Sequence, residues 1–94
     1  DFSATFPQLG EVRIKTAWAG MIDTMPDVVP IVDRAPLGGL VVATGMCGHG
    51  FGIGPAFGRI TARIVRGDAP GYDMHRFRYG RFTDGSKLAL GPNL

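Results

Sequence analysis

A dense run of glycines between an apolar segment and a predicted helix is the part of this chain best suited to chemistry. Gly48, Gly50 and Gly52 alternate with other residues and are followed by Gly54 and Pro55. Glycines at every second position leave one side of a loop without β-carbons, so a ligand can approach the backbone closely. Pro55 suits the first position of a helix, where its missing amide proton leaves no bond unmade. Because helix amino termini bind anions, the loop is interpreted either as a ligand site or as a plain crossover turn.

A few side chains near the loop could also do chemistry. His49 lies between two glycines, and its imidazole either bonds to backbone or faces a ligand. No metal site is expected, because His75 is the only other histidine and no ligand spacing is present. Cys47 lacks the signature of a catalytic nucleophile and is predicted to be a small buried filler. Asp23 and Asp27 could form an acid and base pair, but the interpretation as caps and turn formers is favoured.

The composition is that of an ordinary globular segment. The chain has 94 residues, of which 45% are hydrophobic and 19% charged, so it forms one domain at most. Its net charge of +2 comes from Lys and Arg residues spread along the sequence, and a nucleic-acid partner is therefore not expected. No apolar run approaches the roughly 20 residues that cross a bilayer. A single cysteine and the absence of a signal pattern favour a cytoplasmic location.

Three strands are predicted ahead of the loop. Residues 11–18 alternate between apolar and basic side chains, which is typical of a half-buried strand. A turn over residues 23–27 separates it from a second strand, Val28–Val32, in which Pro30 implies an edge position or an irregularity. The continuously apolar segment Leu40–Ala43 predicts a strand covered on both faces, inside a layered α/β core.

A helix is predicted from Pro55 to the glycine at position 67. Its apolar stripe would pack on the preceding strand, with arginines on the opposite side; the stripe consists of Ile53, Phe57, Ile60 and Ile64. Gly67 is predicted to end the helix. In the tail, Phe77 and Phe82 are expected to anchor the chain to the body. These elements together predict an α+β or α/β fold.

Several blocks of this sequence resemble one enzyme family. The blocks Thr16–Asp27, Pro30–Val32 and Gly39–Gly58 look like the carboxyl-terminal part of the D-amino-acid oxidase superfamily of FAD-dependent oxidoreductases. The sarcosine oxidase, dimethylglycine dehydrogenase and glycine oxidase branches share this order of blocks. The resemblance covers about residues 11–67, and it implies a parent enzyme whose dinucleotide-binding amino-terminal half is missing from the chain.

The resemblance implies that different parts of the chain belong to different domains of the enzyme. Residues 1–35 would belong to the substrate-binding sheet, residues 36–70 would form a strand, loop and helix of the FAD-binding domain, and residues 71–94 would be a tail. The full-length enzyme would oxidise a small amine or amino acid by hydride transfer to the flavin, and the isolated chain is expected to be inactive. The alternative is a non-catalytic structural fragment that binds no cofactor and dimerises to cover exposed apolar surface.

The resemblance also implies site residues. His49, Met46 and Ile22 would line the substrate side, and a helix amino terminus near the flavin would stabilise the negative charge that reduction creates. Flavin contacts would come from consecutive loop residues, namely Gly45, Met46, Cys47, Gly48, His49, Gly50, Phe51, Gly52 and Ile53.

The sequence departs from family patterns in four ways. Ile22 and Gly48 stand where the glycine oxidase branch has an arginine and another basic residue, so a carboxylate clamp is expected elsewhere. Gly52 stands where monomeric sarcosine oxidase has a lysine that contacts the flavin. The flavin-linking cysteine is absent as well, and FAD is therefore expected to bind without a covalent bond.

Overall fold

The packed part of the molecule is a two-stranded antiparallel sheet with one long helix against it. The structure is a computed structural model that describes residues 1–91. Short 3-10 helices occur at Pro7–Leu9, His75–Phe77 and Tyr79–Phe82. The architecture is α+β, and its helices and strands in chain order are α1 (Phe2–Thr5), β1 (Ile31–Arg34), β2 (Val41–Thr44) and α2 (Gly50–Arg66).

The sheet is a hairpin of β1 and β2. Ile31 pairs with Thr44 at one end of the ladder. The hairpin loop closes with a hydrogen bond of 3.0 Å from the Ala35 amide to the Leu40 carbonyl. Gly39 has a φ of 81°, a left-handed conformation that glycine adopts without strain. The pair of glycines in this loop therefore makes the turn between the strands.

The prediction that the third strand is covered on both faces is wrong for this chain. In β2, Val41 and Val42 are half-buried and Ala43 is exposed. Helix α2 packs against the sheet, and within residues 1–91 β2 has no second covering layer. The more deeply buried strand is β1, in which Ile31 and Val32 belong to the core.

Strand β1 begins three residues later than the sequence predicts. A turn precedes it, with the Val28 amide donating to the Met25 carbonyl at 2.9 Å and the Val29 amide donating to Asp27 Oδ1 at 3.2 Å. Val28 is left-handed, with a φ of 55°, and Pro30 has no amide to donate. Residues 28–30 therefore do not join the ladder. The predicted turn is confirmed at residues 25–28, and the irregularity that Pro30 implied is confirmed at residues 28–30.

Helix α2 begins at Gly50, so the prediction that it starts at Pro55 is wrong. Pro55 lies inside the helix, where its ring leaves the Phe51 carbonyl without the usual amide donor. The His49 carbonyl accepts the amides of Gly52 and Ile53, at 3.1 and 3.2 Å, and this starts the helix before the proline. The glycines at the start of α2 are consequently helical residues rather than loop residues.

The apolar stripe and the end predicted for this helix are confirmed, whereas of its three arginines Arg63 is half-buried and donates to the Pro70 carbonyl at 3.2 Å. Ile60 is buried, and the other members of its apolar stripe are half-buried against the sheet. Arg59 and Arg66 are exposed on the other side. Gly67 ends the helix with a φ of 81°, and its amide bonds to the carbonyls of Arg63 and Ile64. None of the helices within residues 1–91 is long and apolar enough to cross a membrane.

Most of the amino-terminal quarter of the chain lies outside the packed part, and only its end, at Ile22 and Asp23, meets the end of β2 and the residues that follow it. Residues 1–24 are all exposed, and residues 11–25 contain no helix or strand. The radius of gyration is 18.1 Å, against about 12 Å for a compact chain of this length. The predicted half-buried strand over residues 11–18 is therefore wrong for this chain, because a strand needs a neighbour to pair its backbone groups.

The tail is fixed to the body by a buried arginine. The Arg81 side chain is 3% exposed, and its Nε lies 2.7 Å from Asp27 Oδ2. The guanidinium also donates to the Val29 carbonyl at 2.6 Å and stacks over the Phe82 ring at 4.3 Å. Phe77 meets Phe57 of α2 edge-on, with ring centroids 5.2 Å apart. Phe77 is confirmed as an anchor, but the centre of the attachment is Arg81, which the sequence did not indicate.

Candidate functional site

The candidate site is the turn of residues 45–49 that joins β2 to α2. Gly45, Cys47 and Gly48 are left-handed there, with φ values of 69°, 52° and 77°. This conformation costs a residue with a β-carbon roughly 1–2 kcal/mol. Cys47 bears that cost, so the turn must be held in place by its surroundings.

Asp23 supplies much of that hold. Its Oδ2 accepts hydrogen bonds from Thr44 Oγ1 at 2.7 Å and from the Gly45 amide at 2.8 Å. Its backbone carbonyl accepts from the Cys47 amide at 3.1 Å. One residue therefore bonds to the end of β2 and to the first part of the turn. The prediction of a local cap or turn former is confirmed for Asp27, whose Oδ1 accepts from the Val29 amide, but not for Asp23, whose side-chain partners lie 21 and 22 residues along the chain, too far for the sequence to reveal them.

Cys47 and Met25 pack beneath the turn. Cys47 is 2% exposed, as expected for a buried filler. Its thiol donates to the Gly45 carbonyl at 2.9 Å, and its sulfur accepts from the Met25 amide at 3.3 Å. A β-carbon at Gly45 would clash with Cγ of the Met25 side chain, so that side chain or the turn would have to move. Glycine at position 45 is thus required by space as well as by its φ.

The backbone amides of residues 48–53 divide into two groups. The amide of His49 turns back to the Met46 carbonyl at 2.9 Å, and the amides of Gly52 and Ile53 bond to the His49 carbonyl. These amides are used within the fold and are not offered to a ligand.

The second group points to a ligand. The amides of Gly48, Gly50 and Phe51 have no hydrogen-bond acceptor among residues 1–91. The first turn of α2 carries no acidic side chain that would neutralise the positive end of the helix. A β-carbon at Gly52 would meet nothing within 4 Å, so open space adjoins this turn. Free amides at an uncompensated helix amino terminus favour a negatively charged or electron-rich group.

An open groove runs beside these residues. Its volume is about 410 Å³, and Ile22 lies close to Gly48, since Ile22 Cδ1 is 3.4 Å from where a Gly48 β-carbon would be. Ile22 and Met46, which are far apart in the sequence, thus line the same groove. The complete lining is Ile22, Asp23, Ala43, Thr44, Gly45, Met46, Cys47, Gly48 and Gly50.

The other predicted site residues lie outside this lining. His49 is exposed at the position before α2, and its side chain makes no capping hydrogen bond. Phe51 is fully exposed, Gly52 faces open space, and Ile53 is half-buried. In the described part of the chain, no group of three His, Cys, Asp or Glu side chains is placed to hold a metal ion.

Comparisons with known proteins give a consistent result. The DAO family model, described as FAD dependent oxidoreductase, matches residues 1–64. Sarcosine oxidase subunit beta of Rhizobium meliloti (strain 1021) is 37% identical over 82 residues, which are 87% of this chain and 20% of that protein. The same subunit of Rhodobacter capsulatus is 33% identical over 89 residues, 90% of this chain and 22% of that protein. N-methyl-L-tryptophan oxidase of Salmonella typhimurium is 39% identical over 62 residues, 65% of this chain and 17% of that protein.

These matches have a defined extent. No solved structure gives a significant match. The chain spans about a fifth of the length of the curated relatives it matches. The family match lies in the amino-terminal part of this chain, and a carboxyl-terminal placement within the relatives is not shown. Since the match nevertheless covers residues 1–64, including the turn of residues 45–49 and the glycines that begin α2, the chain belongs to the DAO family of FAD-dependent oxidoreductases.

Proposed function

We propose that this chain is a segment of an FAD-dependent enzyme that oxidises a small amine or amino acid, and that residues 45–53 contact the flavin. The family match supports the cofactor. The relatives named above are oxidases of sarcosine and of N-methyl-L-tryptophan, both of which are amino acids. When bound, FAD would accept a hydride from the carbon that bears the amine, and the resulting imine would hydrolyse.

The observation that carries this proposal is the set of free amides at the start of α2. Gly48, Gly50 and Phe51 offer their N–H groups at the positive end of a helix that has no acidic residue in its first turn. Such donors stabilise negative charge where it develops, without having to reorganise during the reaction. The residues present therefore fit an electron-accepting ring, held by backbone and without a covalent bond.

We assign Ile22, Met46 and His49 to the substrate side of the site. Ile22 and Met46 line the groove beside the free amides and would exclude water from it. His49 stands at the entrance to α2, where its exposed imidazole is free to meet a substrate or the flavin. No arginine or lysine lines this groove, so a substrate carboxylate would be bound by residues elsewhere in the enzyme.

The remaining parts of the chain are assigned to larger units. We propose that residues 1–35 join a substrate-binding sheet, that residues 36–70 belong to the FAD-binding domain, and that residues 71–94 form a tail. The alternating and wholly exposed segment of residues 11–18 supports the first assignment, because it carries the pattern of a strand without a neighbour. Two relatives are named as beta subunits, and we propose that this enzyme also has several subunits.

Flavin retention by the full-length enzyme tests the proposal. The wild type should purify yellow, with the absorbance of bound FAD. Gly52→Leu adds a side chain where the fold leaves open space, so it should fold normally and lose the flavin. Arg59→Leu is the control, since it places the same side chain on an exposed part of the same helix. A colourless wild type, or a Gly52→Leu variant with full flavin content, would contradict the proposal.

A second candidate function is a non-catalytic fragment that associates through apolar surface. The exposed fractions of Trp18 and Phe51, 86% and 103%, favour it for the isolated chain. Sedimentation of the 94-residue chain with and without added FAD distinguishes the two. A dimer that binds no FAD supports the fragment, whereas a monomer that binds FAD excludes it.

A further inference from the structure

The carboxylate of Asp23 joins two parts of the fold that the sequence separates. It accepts hydrogen bonds from the Thr44 hydroxyl at 2.7 Å and from the Gly45 amide at 2.8 Å. The carbonyl of the same residue accepts from the Cys47 amide at 3.1 Å. Thr44 is the last residue of β2, so Asp23 connects the end of the strand to the turn.

These bonds hold a turn that would not keep its shape alone. Gly45, Cys47 and Gly48 are left-handed, and Cys47 pays a conformational cost because it has a β-carbon. A conformation of this kind persists only where the surroundings fix it. Asp23 bonds to two of these three residues, Gly45 and Cys47.

The same bonds decide which amides remain for a ligand. Because Asp23 occupies the Gly45 amide, that donor is withdrawn, while those of Gly48, Gly50 and Phe51 stay free. An electron-rich group is therefore directed to the start of α2 and away from the end of β2. Asp23 is one of the residues that line the groove, and its carboxylate, bonded to Thr44 and Gly45 at the same turn, lies near a group bound there.

The position of Asp23 is itself fixed by the contacts of the residues that follow it, up to Asp27. The Met25 amide bonds to the Cys47 sulfur at 3.3 Å, and the Met25 side chain fills the space over Gly45. Two residues further on, Asp27 forms the buried ion pair with Arg81. The segment that carries Asp23 is thus fixed on the side of the turn and on the side of the tail.

We propose that Asp23 is a positioning residue of the flavin site. Asp23 fixes the left-handed turn and leaves the amides of Gly48, Gly50 and Phe51 free for the flavin. Its carboxylate also lowers the reduction potential of the flavin. This inference rests on the proposed function. A negative charge near a group that gains electrons disfavours its reduced form, so the potential reports on the carboxylate separately from the shape of the turn.

The test uses the full-length enzyme with substitutions at Asp23. Asp23→Ala removes every side-chain bond and should weaken FAD binding to the apoprotein about ten-fold or more. Asp23→Asn keeps an oxygen acceptor, so FAD affinity should stay within about three-fold while the reduction potential becomes more positive. Thr44→Val removes one donor and should weaken binding less than Asp23→Ala. Asp68→Asn removes an exposed carboxylate beyond the far end of α2 and should change neither quantity.

A readout without cofactor accompanies these measurements. In the apoprotein, the amides of Gly45 and Cys47 should exchange hydrogen faster in Asp23→Ala than in the wild type, because the Gly45 amide loses its acceptor and the Asp23 carbonyl that accepts from the Cys47 amide is no longer held in place by the carboxylate. If Asp23→Ala does not fold, Asp23→Asn and Thr44→Val still decide the matter. An Asp23→Asn enzyme with unchanged potential, or a folded Asp23→Ala enzyme with unchanged FAD affinity, overturns the proposal. A wild type without flavin instead overturns the proposed function.

Discussion

Replacing Arg81 with methionine should release the tail of the molecule. Arg81 is 3% exposed and Asp27 is 7% exposed, so the pair is shielded from water. Two nitrogens of the guanidinium bond to the two carboxylate oxygens at 2.7 and 3.0 Å. Further bonds go to the carbonyls of Val29 and Arg78, at 2.6 and 3.1 Å. Arg81→Met keeps an unbranched apolar stem but leaves the carboxylate without its ion-pair partner and these carbonyls without their donor, while the Val29 amide still donates to Asp27 Oδ1.

The loss of stability depends on the Asp27 carboxylate that Arg81→Met leaves unpaired. Removing one partner of a buried ion pair costs about 3–5 kcal/mol, because the other charge is left unpaired. The total stability of a domain is only about 5–15 kcal/mol, and this chain has a small core. Arg81→Met should therefore lose most of the folded state or detach residues 71–91. Asp27→Asn combined with Arg81→Met should recover part of the loss, since the stranded charge is then gone.

Urea denaturation followed by circular dichroism measures this loss, and limited proteolysis shows whether the tail has become accessible. Arg66→Met is the control, because the Arg66 and Asp68 side chains are 77% and 51% exposed and such pairs contribute about 0–1 kcal/mol. Unfolding of Arg81→Met at the same urea concentration as Arg66→Met would contradict this prediction. A double variant less stable than Arg81→Met alone would contradict it as well.

The remaining predictions concern acid, the turn and the tail. The guanidinium hydrogen bond lowers the pKa of Asp27 below its ordinary value of 3.8; the stability it contributes is present above about pH 4. That stability is lost as the pH falls through the lowered pKa, and acid titration of Asp27→Asn should lack this component. Gly45→Ala should destabilise the fold by about 1–3 kcal/mol in urea denaturation. Adding Met25→Ala should restore only the stability lost to the clash between the new β-carbon and Met25, because the φ of residue 45 remains positive. Phe57→Leu should cost about 0.5–1.5 kcal/mol beyond its lost area, from the edge-on contact with Phe77; additive losses in a double-mutant cycle of the two positions would contradict this.

The sequence by itself determined the local features of this protein. The apolar stripe of Ile53, Phe57, Ile60 and Ile64 and the end of α2 at Gly67 could be predicted because periodicity and glycine act over a few residues. The family could also be identified from blocks of sequence. The start of α2 was misplaced at Pro55 because the proline signal is local, whereas the His49 carbonyl that begins the helix depends on the turn before it.

Only the tertiary structure decided how the site is held. Asp23 meets Thr44 and Gly45 across more than twenty residues, and Arg81 meets Asp27 across 54. No spacing rule predicts such pairs, because their partners are chosen by how the turn, the hairpin and the tail pack together. The strand expected over residues 11–18 also depends on tertiary contacts. Its pattern is present in the sequence, but a strand forms only when another strand lies beside it, and residues 1–91 provide none for it.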